Sequence, residues 1–475
     1  MSSIILDDMN EDKVHDECGM YAVYSATNQN LASTLYYGLY QLQHRGQESA
    51  GMAVSYGRDI KYYKNTGLVS EVFSEDKLAL LPEGDLALGH VRYCSKEEVS
   101  VVNAQPIVYN GRCGHFAIAM NGKITNAKTL RNELIKEGIT FQSNIDVEVI
   151  ADLVNKYTVG DDIVEGVRKA VEYLEGSFAF VIMSSHEIIA VRDRFGLRPL
   201  AYGRVFDDYH VASETCALDA LGVEDVRDIE AGEILVIDNN GPRSYYIKNI
   251  ERRHCIFEYV YTARADSVID GMSVYKARFE CGRRLAEKLK IDADLVAGCP
   301  DSAIVAARGY AAGSGIPYID VLEKNRYVGR TFIQPTQEFR ENSVKIKLNV
   351  HKANVQGKRI ILVDDSIVRG TTSRKIVDLL KKSGAKEVHM VIASPIVKHP
   401  CYTGIDIETY DQLIGAYRDQ DEICGVIGAD SLHFMDVEDL IDCCKCIDDM
   451  HFCAACFDGD YPDNIEQKIL NKKGE

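Results

Sequence analysis

The sequence predicts two folds in series: an α+β sandwich of sheets flanked by helices, followed by an α/β unit built on a parallel sheet. The first half is rich in short strand-like runs bounded by Gly, Asn and Asp, with helical patterns between them. The second half alternates strand with helix, the βαβ pattern of a parallel sheet covered by helices. A last segment, 441–475, is rich in cysteine and then polar.

In the first half the strand-like runs are 19–25, 59–64, 86–93, 116–122, 178–185, 187–193, 201–205 and 233–239. Apolar periodicity predicts helices over 32–43, 129–137, 146–156 and 163–174. A boundary falls within 238–253, where Asn239-Asn240-Gly241-Pro242 marks a turn and Glu251-Arg252-Arg253 follows. In the second half, the strand 295–300 leads into a helix after Asp301, and 317–323 is a further strand. The strand 359–365 leads into a helix from Thr371 to Lys382, and 387–394 follows as a strand. The predicted units are 1–17, 18–243, 254–440 and 441–475.

The chain of 475 residues is 46% hydrophobic and 27% charged, enough to build full cores without disulfides. Its 54 basic and 72 acidic side chains leave a net charge of −18, a poor surface for nucleic acid or anionic lipid. No apolar run approaches the roughly 18 to 20 residues of a membrane helix. The acidic start, with one short apolar patch, does not resemble a secretory signal, so a cytoplasmic protein is expected. Its 14 cysteines are then expected as thiols, metal ligands or catalysts. Half of them lie from Cys401 to Cys456, a first hint of a metal site.

The sharpest motif is Arg359–Arg374, RIILVDDSIVRGTTSR. An apolar strand ends in Asp364 and Asp365, a loop of Ser366, Ile367, Val368 and Arg369 follows, and Gly370, Thr371 and Thr372 open a helix. Ligands of open α/β sheets bind at the carboxyl ends of strands. A glycine permits close backbone approach, and a helix start grips a phosphate. The two acids suit ribose hydroxyls or a magnesium shell. No Lys follows the glycine, so this is not a Walker A loop. The bland reading is a strand–turn–helix with surface acids. A second strand-to-helix loop, 296–306, carries Asp301 and Ser302, which read either as helix caps or as part of a second anion loop. Between the motifs, 324–359 holds nine basic residues against Glu338 and Glu341, which reads as an anion-facing cover or a solvated basic face.

Cys18 opens the first strand. Were the chain cut before it, the new α-amine, with an ordinary pKa of about 7.7 to 8.0, would serve its thiol as a base. The bland alternative is a buried core cysteine. Gln43–Glu48 forms a polar loop with Gly46, Arg92 suits a carboxylate, and Asn121-Gly122 suits an oxyanion. Asp146 opens a helix, as a cap or as a partner for an ammonium group.

Cys18-Gly19, Gln43–Glu48, Gly89–Tyr93, Asn121-Gly122 and Ser213–Cys216 resemble the N-terminal-nucleophile glutamine amidotransferase domain. The string from Asp364 to Thr372 resembles the phosphoribosyltransferase signature. Together with KNRYVGRTFIQP at 324–335, they resemble the glutamine phosphoribosylpyrophosphate amidotransferase (amidophosphoribosyltransferase) family over about 18–462. The resemblance implies a four-layer αββα sandwich of the Ntn-hydrolase type, then a parallel-sheet phosphoribosyltransferase domain. It implies Cys18 as nucleophile, Asn121 and Gly122 as oxyanion hole, Arg92 and Asp146 as glutamine ligands, and 1–17 as a propeptide. It implies 364–372 as the phosphoribosyl pyrophosphate loop, with Mg2+ at Ser302, Asp364 and Asp365. Purine nucleotides as feedback inhibitors and a homo-oligomer, dimer or tetramer, come with it. The chain departs from the family pattern at Met120 (often His), at Cys94–Glu98 (usually Thr-x-Gly and glycine-rich) and at Ala265 (often Pro).

Cys453-Ala454-Ala455-Cys456 reads as a metal or redox CxxC, and Cys443, Cys444 and Cys446 could complete a zinc knuckle. The resemblance implies a [4Fe–4S] cluster on Cys255, Cys401, Cys453 and Cys456 instead. The expected activity is glutamine-dependent synthesis of 5-phosphoribosylamine, the committed step of purine synthesis. The rival is a phosphoribosyl-pyrophosphate-binding regulator with weak or no glutaminase activity.

Overall fold

The computed structural model describes residues 18–94, 99–325, 348–407, 409–447 and 449–465. The expected propeptide 1–17, most of the Cys94–Glu98 loop and the core of the basic segment lie outside the described residues.

The first half is a four-layer αββα sandwich. Its seven-stranded sheet runs in the order Glu224–Asp228, Ala201–Val205, Asp208–Ala212, Gly19–Gln29, Gly84–Arg92, Ser49–Tyr56, Asp59–Thr66. The facing six-stranded sheet runs Gly241–Tyr246, Glu233–Asp238, Ile188–Arg192, Gly176–Met183, Gly114–Ile124, Ile107–Gly111. The near-continuous apolar runs of the central strands follow from burial on both faces. In Gly19–Gln29, Met20 and Ala22 point between the sheets, while Tyr21 and Val23 point outward under the helices Leu31–Gln41 and Thr215–Ala220. In Gly176–Met183, Ala179 and Val181 face the other sheet. Phe178, Phe180 and Ile182 meet the helices Ala127–Lys136, Asp146–Tyr157 and Ile163–Ala170. Each such large side chain taken from water contributes about 1.5–3 kcal/mol.

Local differences from the sequence reading have physical reasons. The predicted helix 32–43 is Leu31–Gln41, after which Gln43–Arg45 tightens into a 3-10 turn. The predicted helix 163–174 ends at Ala170, and Val171–Tyr173 is again a 3-10 turn. The turn at 239–240 joins the last two strands as a hairpin, with Asp238 opposite Gly241, so pairing runs on to Tyr246. The strand Ser49–Tyr56 has no counterpart among the predicted runs; its small residues hide a strand buried at seven of its eight positions.

The second half is an α/β unit on a four-stranded parallel sheet, ordered Leu295–Gly298, Arg359–Asp364, Glu387–Ile392, Ser431–Phe434. Ile361 and Val363 pack toward the helices Val274–Lys288 and Ile304–Ser314, while Ile360 and Leu362 pack toward Thr371–Lys382 and Gln420–Ile427. The predicted strand 317–323 is two pieces: Tyr318 bridges to Val296, and Leu322–Lys324 pairs with Leu348–Val350. A two-residue parallel pair, His254–Cys255 with Phe452–Cys453, fastens the start of this half to its last segment. No helix among the described residues is long and apolar enough to cross a membrane.

Candidate active sites

Cys18 immediately precedes Gly19–Gln29, the middle strand of the first sheet. The next residue, Gly19, pairs with Val91, which brings the thiol to the end of Gly84–Arg92, and Cys18 Sγ lies 3.9 Å from the carbonyl oxygen of Tyr93. Arg92 is buried beside it. Gly46 is needed here, because a Cβ would come within 2.6 Å of the Arg92 backbone. The loop 43–46 therefore lies flat against the strand end that carries Arg92.

On the facing sheet, Asn121 is fully buried, and neither atom of its side-chain amide has a hydrogen-bond partner among the described residues. An unpaired buried amide costs about 1–3 kcal/mol, which makes Asn121 a candidate for a ligand contact. Gly122 follows at φ +121°, with the Ser177 carbonyl where a Cβ would be. The two sheets are stitched at this level by His90 Nε2, which donates to the Met120 carbonyl at 3.1 Å. Burial, helped by the neighbouring Arg92 charge, pushes His90 down to about 3, so it is neutral. At position 120 it is the main chain that works: its carbonyl holds His90, and its N–H donates to Gln105 Oε1 at 2.8 Å. A Met side chain there simply joins the core. Asp146 is the first residue of its helix but does not cap it; its carboxylate accepts from Ile124 N–H at 3.0 Å.

The second site forms at the carboxyl end of the parallel sheet. Asp364 and Asp365 are 2% and 4% exposed. Asp364 accepts from the N–H of Asp365 at 3.0 Å, and Ser366 Oγ donates to Asp365 at 2.8 Å. Ser302 Oγ, from the neighbouring strand end, donates to the other oxygen of Asp365. The helix Ile304–Ser314 takes Ala303 as its N-cap with no side-chain cap bond, so capping does not account for Ser302. Asp301 pairs with Lys324. The loop after Asp365 is pinned by Ile414 N–H donating to the Val368 carbonyl at 2.8 Å. Gly370, at φ +81°, turns the chain into Thr371–Lys382, whose start presents N–H groups and a positive dipole end. Arg278 lines the same cavity as Ser302 and Asp365. Burial pulls its pKa down, against the nearby Asp365 charge.

Four cysteines converge on the clasp between His254–Cys255 and Phe452–Cys453. Cys255 lies directly opposite Cys453, and the carbonyl of Cys456 accepts from Lys398 and His399 N–H, next to Cys401. Burial pushes Cys453 up to about 12. Cys456 is pushed well above the usual thiol range by burial and then by Cys255, Cys401 and Cys453. Among the described residues, no group of three or more His, Cys, Asp or Glu is arranged to hold a metal ion. A four-iron cluster takes one thiolate per iron, so its ligands stand around it rather than converging on one ion. The donor set fits such a cluster in chemistry. Cys443 and Cys444 pack against Cys281 in the same core.

Residues 94–220 match the glutamine amidotransferase domain family, and residues 275–411 match the phosphoribosyl transferase domain family. The amidophosphoribosyltransferase of Methanothermobacter thermautotrophicus is 45% identical over 97% of this chain and 98% of its own. The chain belongs to the amidophosphoribosyltransferase family. The Bacillus subtilis amidophosphoribosyltransferase is 44% identical, with 96% of both chains covered. A solved structure of glutamine phosphoribosylpyrophosphate amidotransferase from B. subtilis, complexed with ADP and GMP, superposes with a TM-score of 0.88 at 43% identity, covering 94% of this chain and 98% of that one.

In this amidophosphoribosyltransferase-family chain, sequence reasoning passed over two polar residues at the first site. Gln105 was given no role, although its side chain holds the strand that carries Asn121. Glu214 stood only inside the Ser213–Cys216 motif, yet it accepts from Arg45 at 2.5 Å and lies 2.7 Å from His44 Nε2. Burial pushes its carboxyl up, but His44 and Arg45 outweigh that and hold it well below the usual carboxylate range. The partners are 169 and 170 residues apart, so no local signal marks them.

Proposed function

We propose that this enzyme uses glutamine and phosphoribosyl pyrophosphate to make 5-phosphoribosylamine, glutamate and pyrophosphate, the first committed step of purine (IMP) synthesis. The observation that carries the reading is the buried Asp364–Asp365 pair, with Ser302 donating to it, at a parallel strand end in the same chain as Cys18. We take 18–243 as the glutaminase domain, 254–440 as the transferase domain, 441–475 as the cysteine-rich segment and 1–17 as a propeptide.

Removal of 1–17 gives Cys18 an α-amine, which takes the thiol proton. The thiolate attacks the side-chain carbonyl carbon of glutamine. The Asn121 amide and the Gly122 N–H donate to the developing oxyanion. Arg92 binds the substrate carboxylate and Asp146 its ammonium group. Ammonia leaves with a proton, and water then releases glutamate from the thioester. The ammonia crosses a shielded path to the second site. There Asp364 and Asp365 accept from ribose hydroxyls, and 366–372 with the helix start grip phosphate. The nitrogen lone pair displaces pyrophosphate at the anomeric carbon. The oxygen-only set of Ser302, Asp364 and Asp365 suits a hard cation. Bound there, Mg2+ would neutralise charge on the leaving pyrophosphate. Purine nucleotides are the proposed feedback inhibitors, in line with the ADP and GMP of the B. subtilis structure. A cytoplasmic homo-oligomer is the proposed state.

The test is pyrophosphate release from phosphoribosyl pyrophosphate with glutamine and with ammonium as nitrogen source. Release with both supports a synthase. Release with neither, in protein that still binds phosphoribosyl pyrophosphate, would point to the regulator instead.

We assign the clasp cysteines Cys255, Cys401, Cys453 and Cys456 to a structural [4Fe–4S] cluster. Protein purified without air is expected to be brown, with about four iron per chain. Cys453→Ser is expected to lose that iron and to melt at a lower temperature, because metal-binding free energy is folding free energy. An iron-free and zinc-free wild type with the same melting temperature as the iron-loaded protein would sink the assignment.

A further inference from the structure

Arg45 is fully buried and faces acids from both halves of the chain. Its Nη1 donates to Glu214 at 2.5 Å and to Glu258 Oε2 at 3.1 Å, and its Nη2 donates to Glu258 Oε1 at 2.9 Å. Its third nitrogen, Nε, donates to the main-chain carbonyl of Cys18, 3.2 Å away. Three nitrogens in one rigid plane are thus committed in three directions, a geometry that only arginine supplies.

Glu258 comes from the transferase half. It opens a π-helical turn, Glu258–Thr262, just after the Cys255 clasp. On its far side Arg198 Nη1 stands 3.5 Å from Oε1; Arg198 itself donates to Ser177 Oγ at 3.1 Å and to the Thr403 carbonyl at 2.6 Å. The same turn is gripped from the other direction by Arg278, which donates to the carbonyls of Tyr259 (2.7 Å), Tyr261 (3.0 Å) and Ala263 (2.8 Å). One short turn therefore touches, through Arg45, the main chain of Cys18 and, through Arg278, the cavity that holds Ser302 and Asp365.

We propose that Glu258 is a positioning residue for glutamine hydrolysis, contributed by the transferase half: it holds Arg45, and Arg45 holds the main chain of Cys18. The proposal rests on the reading of Cys18 as nucleophile. An ion pair that merely glued the halves together would need no bond to Cys18. The bidentate grip on the guanidinium fixes the direction of Nε, and misplacing a reacting group by about 1 Å costs about 10²-fold in rate.

The test is Glu258→Gln in the full-length enzyme. The amide keeps the shape but removes the charge and turns an N–H toward the guanidinium. The kcat for glutamine hydrolysis is expected to fall about tenfold or more. The KM for glutamine and the ammonium-dependent kcat should each stay within about twofold, since the proposed role of Glu258 is confined to the position of Cys18. Glu258→Asp, which keeps the charge on a shorter arm, should recover part of the loss, and it carries the test alone if Glu258→Gln does not fold. A glutaminase kcat equal to wild type, or an equal fall in both activities, would overturn the proposal. Cys18→Ala separates the two levels. If that variant still hydrolyses glutamine, the nucleophile assignment fails; if it is inactive while Glu258→Gln and Glu258→Asp are fully active, only the role of Glu258 fails.

Discussion

Cys18→Ala is expected to abolish synthesis from glutamine, by at least on the order of 10³-fold, and to leave synthesis from ammonium near the wild-type rate. The two chemistries use separate sets of groups. Cys18 lies at the end of an antiparallel sheet beside Tyr93 and Arg92, whereas Asp364 and Asp365 end a parallel strand in the other half. On the proposed reading, removing one sulfur deletes the covalent route for glutamine and leaves the ribose-binding groups in place. The side chain is only partly buried, so the alanine leaves no large internal void. Steady-state rates with each nitrogen source measure the effect, and the intact mass of active wild type should correspond to a chain beginning at Cys18. Loss of both activities in a folded variant would contradict separate sites.

Asp365→Asn is expected to show the complementary pattern, a fall of about 10² to 10³-fold with glutamine and with ammonium alike. Asp365 is nearly inaccessible, yet it is a carboxylate held on each side by a serine hydroxyl, Ser302 and Ser366. The amide can still accept one such bond and fills the same volume, so the fold should persist. What it lacks is the charge that, on the proposed reading, steadies ribose hydroxyls or a cation. Glutamine hydrolysis by itself should continue. Unchanged synthesis would remove Asp365 from the site.

The parallel half was the more readable one in sequence. Strand Arg359–Asp364 and helix Thr371–Lys382 match the reading because both faces of the strand are buried and Gly370 marks the helix start. The helix Val274–Lys288 was missed, since its charged residues mask a narrow apolar stripe of Val274, Ala277, Cys281 and Leu285. In the sandwich, the polar edge strand Gly241–Tyr246 was missed because it pairs on one side only and its residues alternate between half exposed and exposed. The site residues named by motif lie at strand ends and helix starts, where chemistry follows local pattern. Arg45 and Glu258 could not be paired in this way. They are 213 residues apart, and nothing near either one announces a buried charge.

The parallel pair between His254–Cys255 and Phe452–Cys453 also sets an order of events during synthesis. Among the described residues, the thirteen strands of the sandwich have all their sheet partners among themselves, so those sheets can pair while translation continues. The junction strand has to wait, because its partner is made about 200 residues later and a long loop must close to reach it. During synthesis the sheets of the half that carries Cys18 can therefore pair before the strand that completes the junction is made, while the buried Arg45 of that half must still wait for Glu258.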